Sequence, residues 1–388
     1  MEKIVVLGGY GEMGRIISID LAETADKFRI VIAGRDGKKA EAFAKSFNKP
    51  NIIGVGADLN NHKQMKQVLE GAKVLINATN YYFNVQVMKT ALKAHVNYID
   101  LGGLYHTTLK QLRLHDKFKK AKVIALLGCG STPGITNIMA HYGAEKLDRI
   151  HEIHIQFADK DYTNYNMPFV VPYSMQTVFD EFTKRPAVFT NGKMTFADPL
   201  GGGINVTFPQ PVGKVLCRYS LHSELASLPK HFASRGIKEC SFRGGWDPDF
   251  VNKTSFLIQA GFASETPIIV KGNKVVPRDV AVALLNRFLP PESVKVNDVE
   301  FLRVELKGTR KKKEQTLVVY CKAVSNKKWN IPAGSWDTGV PLSIVAQMIA
   351  TGHISGGGVY PSDARNINPK KFFKELKKRN MKVFIAKR

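Results

Sequence analysis

The sequence predicts an α/β protein with an N-terminal doubly wound parallel sheet, followed by a second α+β domain built on a mixed or antiparallel sheet. Three observations lead to this prediction. Within the first 130 residues, short apolar runs alternate with helix-like stretches, as in parallel sheets buried on both faces. A glycine-rich turn follows the first apolar run directly. After about residue 150 the apolar residues recur with period two, which is typical of half-exposed antiparallel strands.

Six apolar runs mark the predicted strands of the first domain. They lie at residues 4–7, 29–33, 52–55, 74–78, 98–101 and 123–127. The stretches between them have the length and composition of helices, and strands that alternate with helices form βαβ units with parallel strands.

Period-two alternation marks the predicted strands of the second domain, at residues 151–157, 215–220, 301–306 and 317–320. The basic run at residues 310–313 lies between the last two and predicts a solvated hairpin tip. Helical periodicity returns at residues 341–350 and 369–378. We therefore expect domains at residues 1–130 and 131–334, with a C-terminal helical segment, residues 335–388, that packs back on the first domain.

The composition limits the class of protein. Hydrophobic residues make up 44% and charged residues 23%, which is ordinary for a globular protein and excludes disorder, collagen and coiled coil as the main architecture. The formal net charge is +24, which favours polyanions or acidic molecules as partners. No nucleic-acid-binding module is present, and basic residues are not interleaved with stacking aromatics, so we expect no specific nucleic-acid partner.

Four cysteines stand apart at positions 129, 217, 240 and 321. They form no CxxC pair, and the chain shows no spacing of metal ligands, so we expect a reducing cytoplasmic location and no metal site. No charge-free apolar run approaches about 18 residues, so no membrane span is expected.

The strongest motif is GxGxxG, formed by Gly9, Tyr10, Gly11, Glu12, Met13 and Gly14. It follows an apolar strand and precedes a helical stretch, the context in which this motif binds a dinucleotide. The first glycine makes the tight turn, the second lets the backbone approach a pyrophosphate, and the third lets helix and sheet pack closely. The sequence therefore predicts a Rossmann domain at residues 1–130 that binds a nicotinamide cofactor.

The end of the second strand bears on which cofactor is bound. Gly34 and Arg35 stand where NAD-preferring proteins place an acidic residue for the ribose 2′-hydroxyl. A guanidinium suits a 2′-phosphate, so the sequence favours NADP(H) over NAD(H). The alternative is that Arg35 only covers the adenine face. Asp36 lies beyond the usual acidic position and is a candidate helix cap.

Further candidate cofactor residues follow the later strands, because ligands bind at the carboxyl edge of open α/β sheets. Asp58 either bonds the adenine edge or caps the next helix, and Pro133 suits a first helical position with Thr132 as its cap. The full set after the third to sixth strands is Asp58, Leu59, Ala78, Thr79, Asn80, Asp100, Leu101, Gly102, Ser131, Thr132 and Pro133.

Several stretches resemble the saccharopine dehydrogenase-like oxidoreductases, a group that includes saccharopine reductase, lysine 6-dehydrogenase and carboxynorspermidine synthase. They are residues 9–14, 98–102, 128–137 and 338–383, with a weaker match at 222–224. The resemblance implies a Rossmann domain for the cofactor and a second domain, residues 131–334, for substrate binding and dimerisation. It implies hydride transfer between NAD(P)(H) and a CH–NH carbon of an amino acid or polyamine-type amine, through an imine.

The resemblance also implies roles for single residues. Tyr81 would lie where cofactor and substrate meet, and Asp100 would lie at the nicotinamide edge as a candidate catalytic residue, with Leu101 and Gly102 beside it. Saccharopine reductase has an aspartate where this chain has Thr132, which argues against saccharopine itself as substrate.

The substrate side offers four candidates. Glu224 suits a cationic amine, and His222 suits proton transfer because the surroundings of a histidine can shift its pKa across neutrality. The alternative for His222 is a hydrogen-bonded histidine on a sheet. Arg218 and Arg243 suit a substrate carboxylate, or are ordinary surface arginines. The resulting prediction is a homodimeric NADP(H)-dependent amine oxidoreductase; the alternative is a nucleotide-sensing protein that keeps the fold without turnover.

Overall fold

The computed structural model describes residues 1–288, 290–291, 293–364 and 366–387. Strands and helices alternate through its N-terminal part. The strands are β1 (Lys3–Leu7), β2 (Arg29–Gly34), β3 (Ile52–Gly56), β4 (Ala72–Asn77), β5 (Asn97–Asp100) and β6 (Ile124–Leu127). The helices are α1 (Glu12–Thr24), α2 (Gly37–Lys45), α3 (His62–Leu69), α4 (Asn84–Lys93), α5 (Leu104–Leu112), α6 (His115–Lys120) and α7 (Ile135–Ala144).

Strands dominate the middle of the chain. They are β7 (Arg149–Asp161), β8 (Ala187–Thr190), β9 (Lys193–Phe196), β10 (Ile204–Thr207), β11 (Lys214–Tyr219), β12 (Glu239–Gly245), β13 (Ile268–Val270), β14 (Asn273–Val275), β15 (Asp298–Arg310) and β16 (Lys313–Val324). The accompanying helices are α8 (Met175–Thr183), α9 (Leu228–His231), α10 (Pro248–Gln259) and α11 (Pro277–Leu285). The chain ends with α12 (Ala333–Ala350), β17 (Gly358–Pro361), α13 (Pro369–Lys378) and β18 (Lys382–Lys387).

The first sheet has seven strands in the order β17-β6-β5-β4-β1-β2-β3, and every neighbouring pair is parallel. The order reverses between β1 and β4, which opens a crevice at the carboxyl ends of the strands. Ile4 and Val6 of β1 pack into one apolar cluster and Val5 and Leu7 into another, so both faces are buried. The predicted Rossmann architecture is confirmed.

The second sheet has nine strands. Seven follow the order β10-β11-β12-β7-β15-β16-β18, while β8 pairs with β12 and β9. Strands β7 and β12 are parallel and the other neighbours antiparallel, so the sheet is mixed. The long hairpin β15–β16 turns at Lys311 and Lys312, within the predicted basic tip.

The C-terminal segment joins both sheets. Strand β17 pairs with β6 in the first sheet, and β18 pairs with β16 in the second. Helix α12 packs against α1 and α13. The sequence predicted only helices here, because strands of four and six residues carry too little periodicity to be recognised beside a strongly amphipathic helix.

Candidate functional site

The glycine loop joins β1 to α1 and leaves the start of the helix open. A Cβ atom at position 14 would lie 2.0 Å from the carbonyl oxygen of Gly8, and one at position 9 would lie 2.8 Å from that of Val6. A Cβ at position 11 would have only one neighbouring atom, the carbonyl oxygen of Gly8 at 3.1 Å. Glu12 and Met13 begin α1, and no side chain caps its first turn. The amide N–H groups of that turn are thus available to an anion.

Tyr10 lies across the end of β2. Its ring would clash with a Cβ at Gly34, at 2.4 Å, and its hydroxyl accepts a hydrogen bond from the Asp36 amide at 2.9 Å. The Asp36 carboxylate caps α2 by accepting from the Lys39 amide at 3.1 Å. Arg35 is exposed beside them. The structure therefore gives Asp36 the capping role and leaves Arg35 as the free charged group.

The loops after β3 and β4 flank this region. Asp58 accepts from the Asn60 amide at 2.9 Å and so closes a turn, while Asn61 caps α3. Of the two alternatives for Asp58, capping of the next helix is wrong, because Asn61 is the N-cap of α3; a bond to the adenine edge stays a prediction. Ala78 and Thr79 pack next to the glycine loop. A Cβ at Gly8 would lie 3.0 Å from the Ala78 carbonyl oxygen and 3.3 Å from the Thr79 methyl group. Leu59 lies half-buried after β3, and Asn80 begins the turn that carries Tyr81.

Asp100 is fully buried at the end of β5, and four groups donate to it. Oδ1 accepts from the amides of Gly102 at 3.0 Å and Gly128 at 2.8 Å. Oδ2 accepts from the Tyr98 hydroxyl at 2.8 Å and from the side-chain amide of Gln111 at 2.6 Å. Burial raises the pKa of Asp100, and these donors oppose the rise. The geometry gives Asp100 a positioning role for the loops after β5 and β6 in place of the predicted catalytic one.

Those two loops meet around Pro133. A Cβ at Gly102 or Gly128 would lie 2.7 or 2.6 Å from the Pro133 ring, so both positions require glycine. Helix α7 begins at Ile135 with Gly134 as its N-cap, so neither predicted helical role, Thr132 as cap or Pro133 as first residue, is correct. The Ser131 hydroxyl lies 2.9 Å from that of Thr338 on α12. Leu101 precedes this meeting point and is half-buried.

Tyr81 is tied to helix α8. Its hydroxyl donates to Asp180 Oδ2 at 2.5 Å, and the Tyr82 hydroxyl donates to the same oxygen. Arg278 donates to Asp180 Oδ1 at 2.8 Å. Burial by itself raises the pKa of Asp180, but Lys184, the tyrosines and Arg278 together lower it. Burial, followed by Asp180, raises the pKa of Tyr81, which keeps it a protonated donor.

His222 lies between two carboxylates. Nδ1 is 2.6 Å from Glu224 Oε2, Nε2 is 3.9 Å from Glu181 Oε1, and the ring stacks on Phe242 with centroids 3.8 Å apart. Burial lowers the pKa of His222, yet Glu224 and Glu181 raise it above its usual value overall. Tyr173 donates to Glu181 at 2.5 Å. The arrangement fits a proton-transfer group whose orientation is set by Glu224.

The two candidate arginines lie on opposite faces of the second sheet. Arg218 is half-buried on β11 and pairs with Gly244, on the same face as Phe242 and His222. Arg243 lies on the other face, where it stacks on Tyr219 and donates to Gly202 and Ser241. Neighbouring residues of a strand point to opposite faces, so the structure does not bring Arg243 to His222.

Asp180, Glu181, Tyr173 and Arg278 were not predicted from the sequence. The available signal was the acidic pair inside the otherwise apolar stretch of α8, because buried carboxylates on an apolar helix need partners. Among the described residues, no group of three His, Cys, Asp or Glu side chains could hold a metal ion. No helix in the described part of the chain is long and apolar enough to cross a membrane.

The chain matches two family models. That of the saccharopine dehydrogenase NADP binding domain covers residues 4–126, and that of the saccharopine dehydrogenase C-terminal domain covers residues 130–381. The carboxyaminopropylagmatine dehydrogenase of Synechocystis is 25% identical over 97% of this chain and 95% of its own length. The carboxynorspermidine synthase of Vibrio cholerae is 23% identical over 93% of this chain and 92% of its own length.

Two solved structures share the fold. Saccharopine dehydrogenase (L-Glu forming) from Saccharomyces cerevisiae aligns with a TM-score of 0.77 and 15% identity, covering 100% of both chains. Homospermidine synthase from Legionella pneumophila, in complex with NAD, aligns with a TM-score of 0.71 and 14% identity, covering 100% of this chain and 91% of that one.

Proposed function

The chain belongs to the saccharopine dehydrogenase family, and we propose that it is an NADP(H)-dependent oxidoreductase that makes or breaks a secondary amine through an imine. The observation that carries the proposal is the open first turn of α1, where Gly11 leaves space against the backbone for a pyrophosphate. When bound, the nicotinamide supplies the hydride chemistry.

The surroundings of Arg35 support NADP(H). The Asp36 carboxylate is already bonded to the Lys39 amide, and the Asp36 amide to Tyr10. Arg35, Lys38 and Lys39 are exposed around the end of β2, so the local charge is positive. A 2′-phosphate with three acceptor oxygens fits this charge better than a hydroxyl does.

We propose that His222 moves the proton at the amine nitrogen through Nε2, while Glu224 orients the ring through Nδ1. Tyr81, held by Asp180, bounds the substrate pocket beside the cofactor. The Arg218 side chain makes no hydrogen bond or ion pair to another described residue, and it is the candidate partner for a substrate carboxylate. Asp100 holds the loops that surround the nicotinamide position.

The names of the two curated relatives suggest the substrate class. Carboxyaminopropylagmatine and carboxynorspermidine are both secondary amines that carry a carboxylate and a further cationic arm. We propose a substrate of this kind, bound mainly by residues 131–334 of a homodimeric protein. In the proposed reaction such an amine would lose a hydride to NADP⁺ and a proton, which leaves an imine, and one water would then hydrolyse the imine to an amino-acid aldehyde and a second amine.

Absorbance at 340 nm tests the proposal directly. The purified protein is offered NADP⁺ or NAD⁺ with carboxynorspermidine, carboxyaminopropylagmatine, saccharopine or lysine, and NADPH with the matching aldehyde and amine pairs. We expect turnover with a carboxylated polyamine and faster turnover with NADP(H) than with NAD(H). If no substrate turns over while NADPH raises the melting temperature, the nucleotide-sensing alternative gains support. If NADPH supports no turnover and does not raise the melting temperature, the cofactor site is refuted.

A further inference from the structure

Helix α12 runs parallel to α1 and starts at the cofactor end of the first sheet. Three contacts show this parallel alignment, and they are spaced four residues apart along both helices. A Cβ at Gly339 would lie 2.6 Å from Ile16, Ser343 donates to Asp20 at 2.5 Å, and Gln347 donates to Thr24 at 2.9 Å. The first turns of α12 therefore lie level with the open first turn of α1.

Asp337 lies in the second turn of α12 and is fully buried. Neither of its carboxylate oxygens makes a hydrogen bond of ordinary geometry to a described residue, and Ser131 is the one side-chain donor that lowers its pKa. The next residue, Thr338, is bonded to Ser131 of the loop after β6. An unpartnered buried carboxylate is costly, so a native structure normally supplies such a group with a partner.

Glu300 of β15 lies beside Asp337. A Cβ at Gly334, one turn before Asp337, would lie 2.3 Å from Glu300 Oε2. Asp159 is the cross-strand neighbour of Glu300 and repels it. No Lys, Arg or His in the described part of the chain pairs with Glu300 or Asp337. Asp298, the next acid on β15, is already bonded to the Ala333 amide at the start of α12.

The face of the second sheet connects this acidic pair to His222. Phe242 lies under the His222 ring, and Phe157 of β7 lies 6.1 Å from Phe242. Asp159 is two residues beyond Phe157 and so lies on the same face, opposite Glu300. His222 and Glu300 therefore lie on the same side of the second sheet, the side along which we expect an elongated substrate to extend.

Resting on the proposed function, we propose that Asp337 and Glu300 form a subsite for the cationic arm of the substrate, an ammonium or guanidinium group. Two neighbouring carboxyl groups that pair with no cation among the described residues, one of them without a hydrogen bond of ordinary geometry, match a group that carries positive charge and several N–H donors. The described residues offer no third ligand for a metal ion, which favours an organic cation. The pair thus selects amines that carry a second positive charge.

Charge-removing variants of equal size test the subsite. Asp337→Asn and Glu300→Gln keep the shape of the side chains, and Glu314→Gln, on the exposed part of β16, is the matched control. We expect each of the first two to raise KM for agmatine or 1,3-diaminopropane at least tenfold, with kcat changed less and NADPH affinity unchanged. Asp337→Asn should also equal or exceed the wild-type melting temperature without substrate, because burial and the nearby Asp298 raise the pKa of Asp337 and so make its ionisation unfavourable for the folded state.

A second measurement separates this inference from the proposed function. With NADP⁺ present, thermal stabilisation by agmatine and by 1,3-diaminopropane is compared with that by propylamine, which lacks the second charge. Stabilisation by the dications that is lost in Asp337→Asn supports the subsite even if no reaction is found. Unchanged KM and unchanged stabilisation in both variants overturn the subsite, even where turnover confirms the enzyme. A variant that loses NADPH binding and melts lower than wild type also overturns it, since the role is then structural.

Discussion

At the scale of single residues, Gly11 and Gly14 illustrate two different reasons for a glycine. Gly14 is required by the fold, because its Cβ would lie 2.0 Å from a backbone oxygen. Gly11 has free space around it, because its Cβ would meet only the Gly8 carbonyl oxygen, at 3.1 Å. The motif predicts both positions, but only the structure distinguishes packing from ligand access.

Gly11→Val should therefore abolish NADPH binding with little loss of stability. The valine side chain would occupy the space of the pyrophosphate while meeting few protein atoms. Equilibrium titration of NADPH fluorescence measures the first effect and thermal unfolding the second. Gly14→Ala is the contrasting variant and should lower the melting temperature by several degrees. Full turnover with NADPH in Gly11→Val would refute the cofactor site.

Arg35→Ala should reduce the preference for NADPH over NADH by roughly 10- to 100-fold, the range expected for one charge-assisted contact to phosphate. KM for NADPH should rise while KM for NADH stays nearly constant, because Arg35 contacts only the 2′-phosphate in the proposal. Lys45→Ala, further along the exposed face of α2, is the control. An unchanged NADPH-to-NADH ratio would show that Arg35 covers the adenine face.

The sequence offers a more specific signal for the cofactor side of the candidate site than for the substrate side, for a physical reason. A glycine motif reports backbone constraints that are local in the chain. Even on the cofactor side, the partners of Asp100 and Pro133 come from loops that the fold brings together from separate strands, so these partners are not visible from spacing. Glu181 is joined to His222 only by the tertiary fold.

At the scale of elements, helix α8 connects the two halves of the site. Asp180 bonds Tyr81 and Tyr82 of the first domain, whereas Glu181, the next residue, faces His222 of the second. Consecutive residues on a helix diverge by about 100°. One turn of α8 therefore sets the position of Tyr81 relative to His222, the two residues that the proposed function places at the cofactor and the substrate.

Glu181 makes this element sensitive to pH. Burial, opposed by His222 and Tyr173, raises its pKa from 4.5 to about 7. A raised carboxyl pKa means that its contribution to stability is present below pH 4.5 and is lost as the pH rises through about 7. Glu181→Gln stays neutral, so its melting temperature relative to wild type should increase between pH 4.5 and pH 7 and then level off. Thermal unfolding across this range, with Glu314→Gln as control, measures the difference; a constant difference would contradict the shift.

Elements of the second domain were harder to predict than those of the first. Strands β7, β15 and β16 extend well beyond their alternating cores, because backbone pairing continues into strand ends whose side chains are exposed. Strand β12 contains Gly244 and Gly245, which weaken its strand signal, yet it lies centrally between β11 and β7. Pairing partners, more than local propensity, define these strands.

At the scale of the whole molecule, the C-terminal segment ties the two sheets together. It adds β17 to the first sheet and β18 to the second. Between them, Arg379 donates to both carboxylate oxygens of Asp20 on α1, at 2.7 and 3.0 Å, in a buried ion pair. The amphipathic pattern predicted α13, but that a single segment completes both sheets follows only from the topology.

Because of this connection, we expect the protein to unfold in a single cooperative transition in scanning calorimetry, although its chain is long enough for two or three domains. Arg379→Ala should destabilise both sheets together by about 3–5 kcal/mol, since Asp20 is left as a buried charge without its cation. Lys328→Ala, which removes an exposed partner of Glu23 on the same helix α1, should cost less than about 1 kcal/mol. Two separate transitions in the wild-type protein would mean that the two sheets unfold independently and that the C-terminal segment belongs to only one of them.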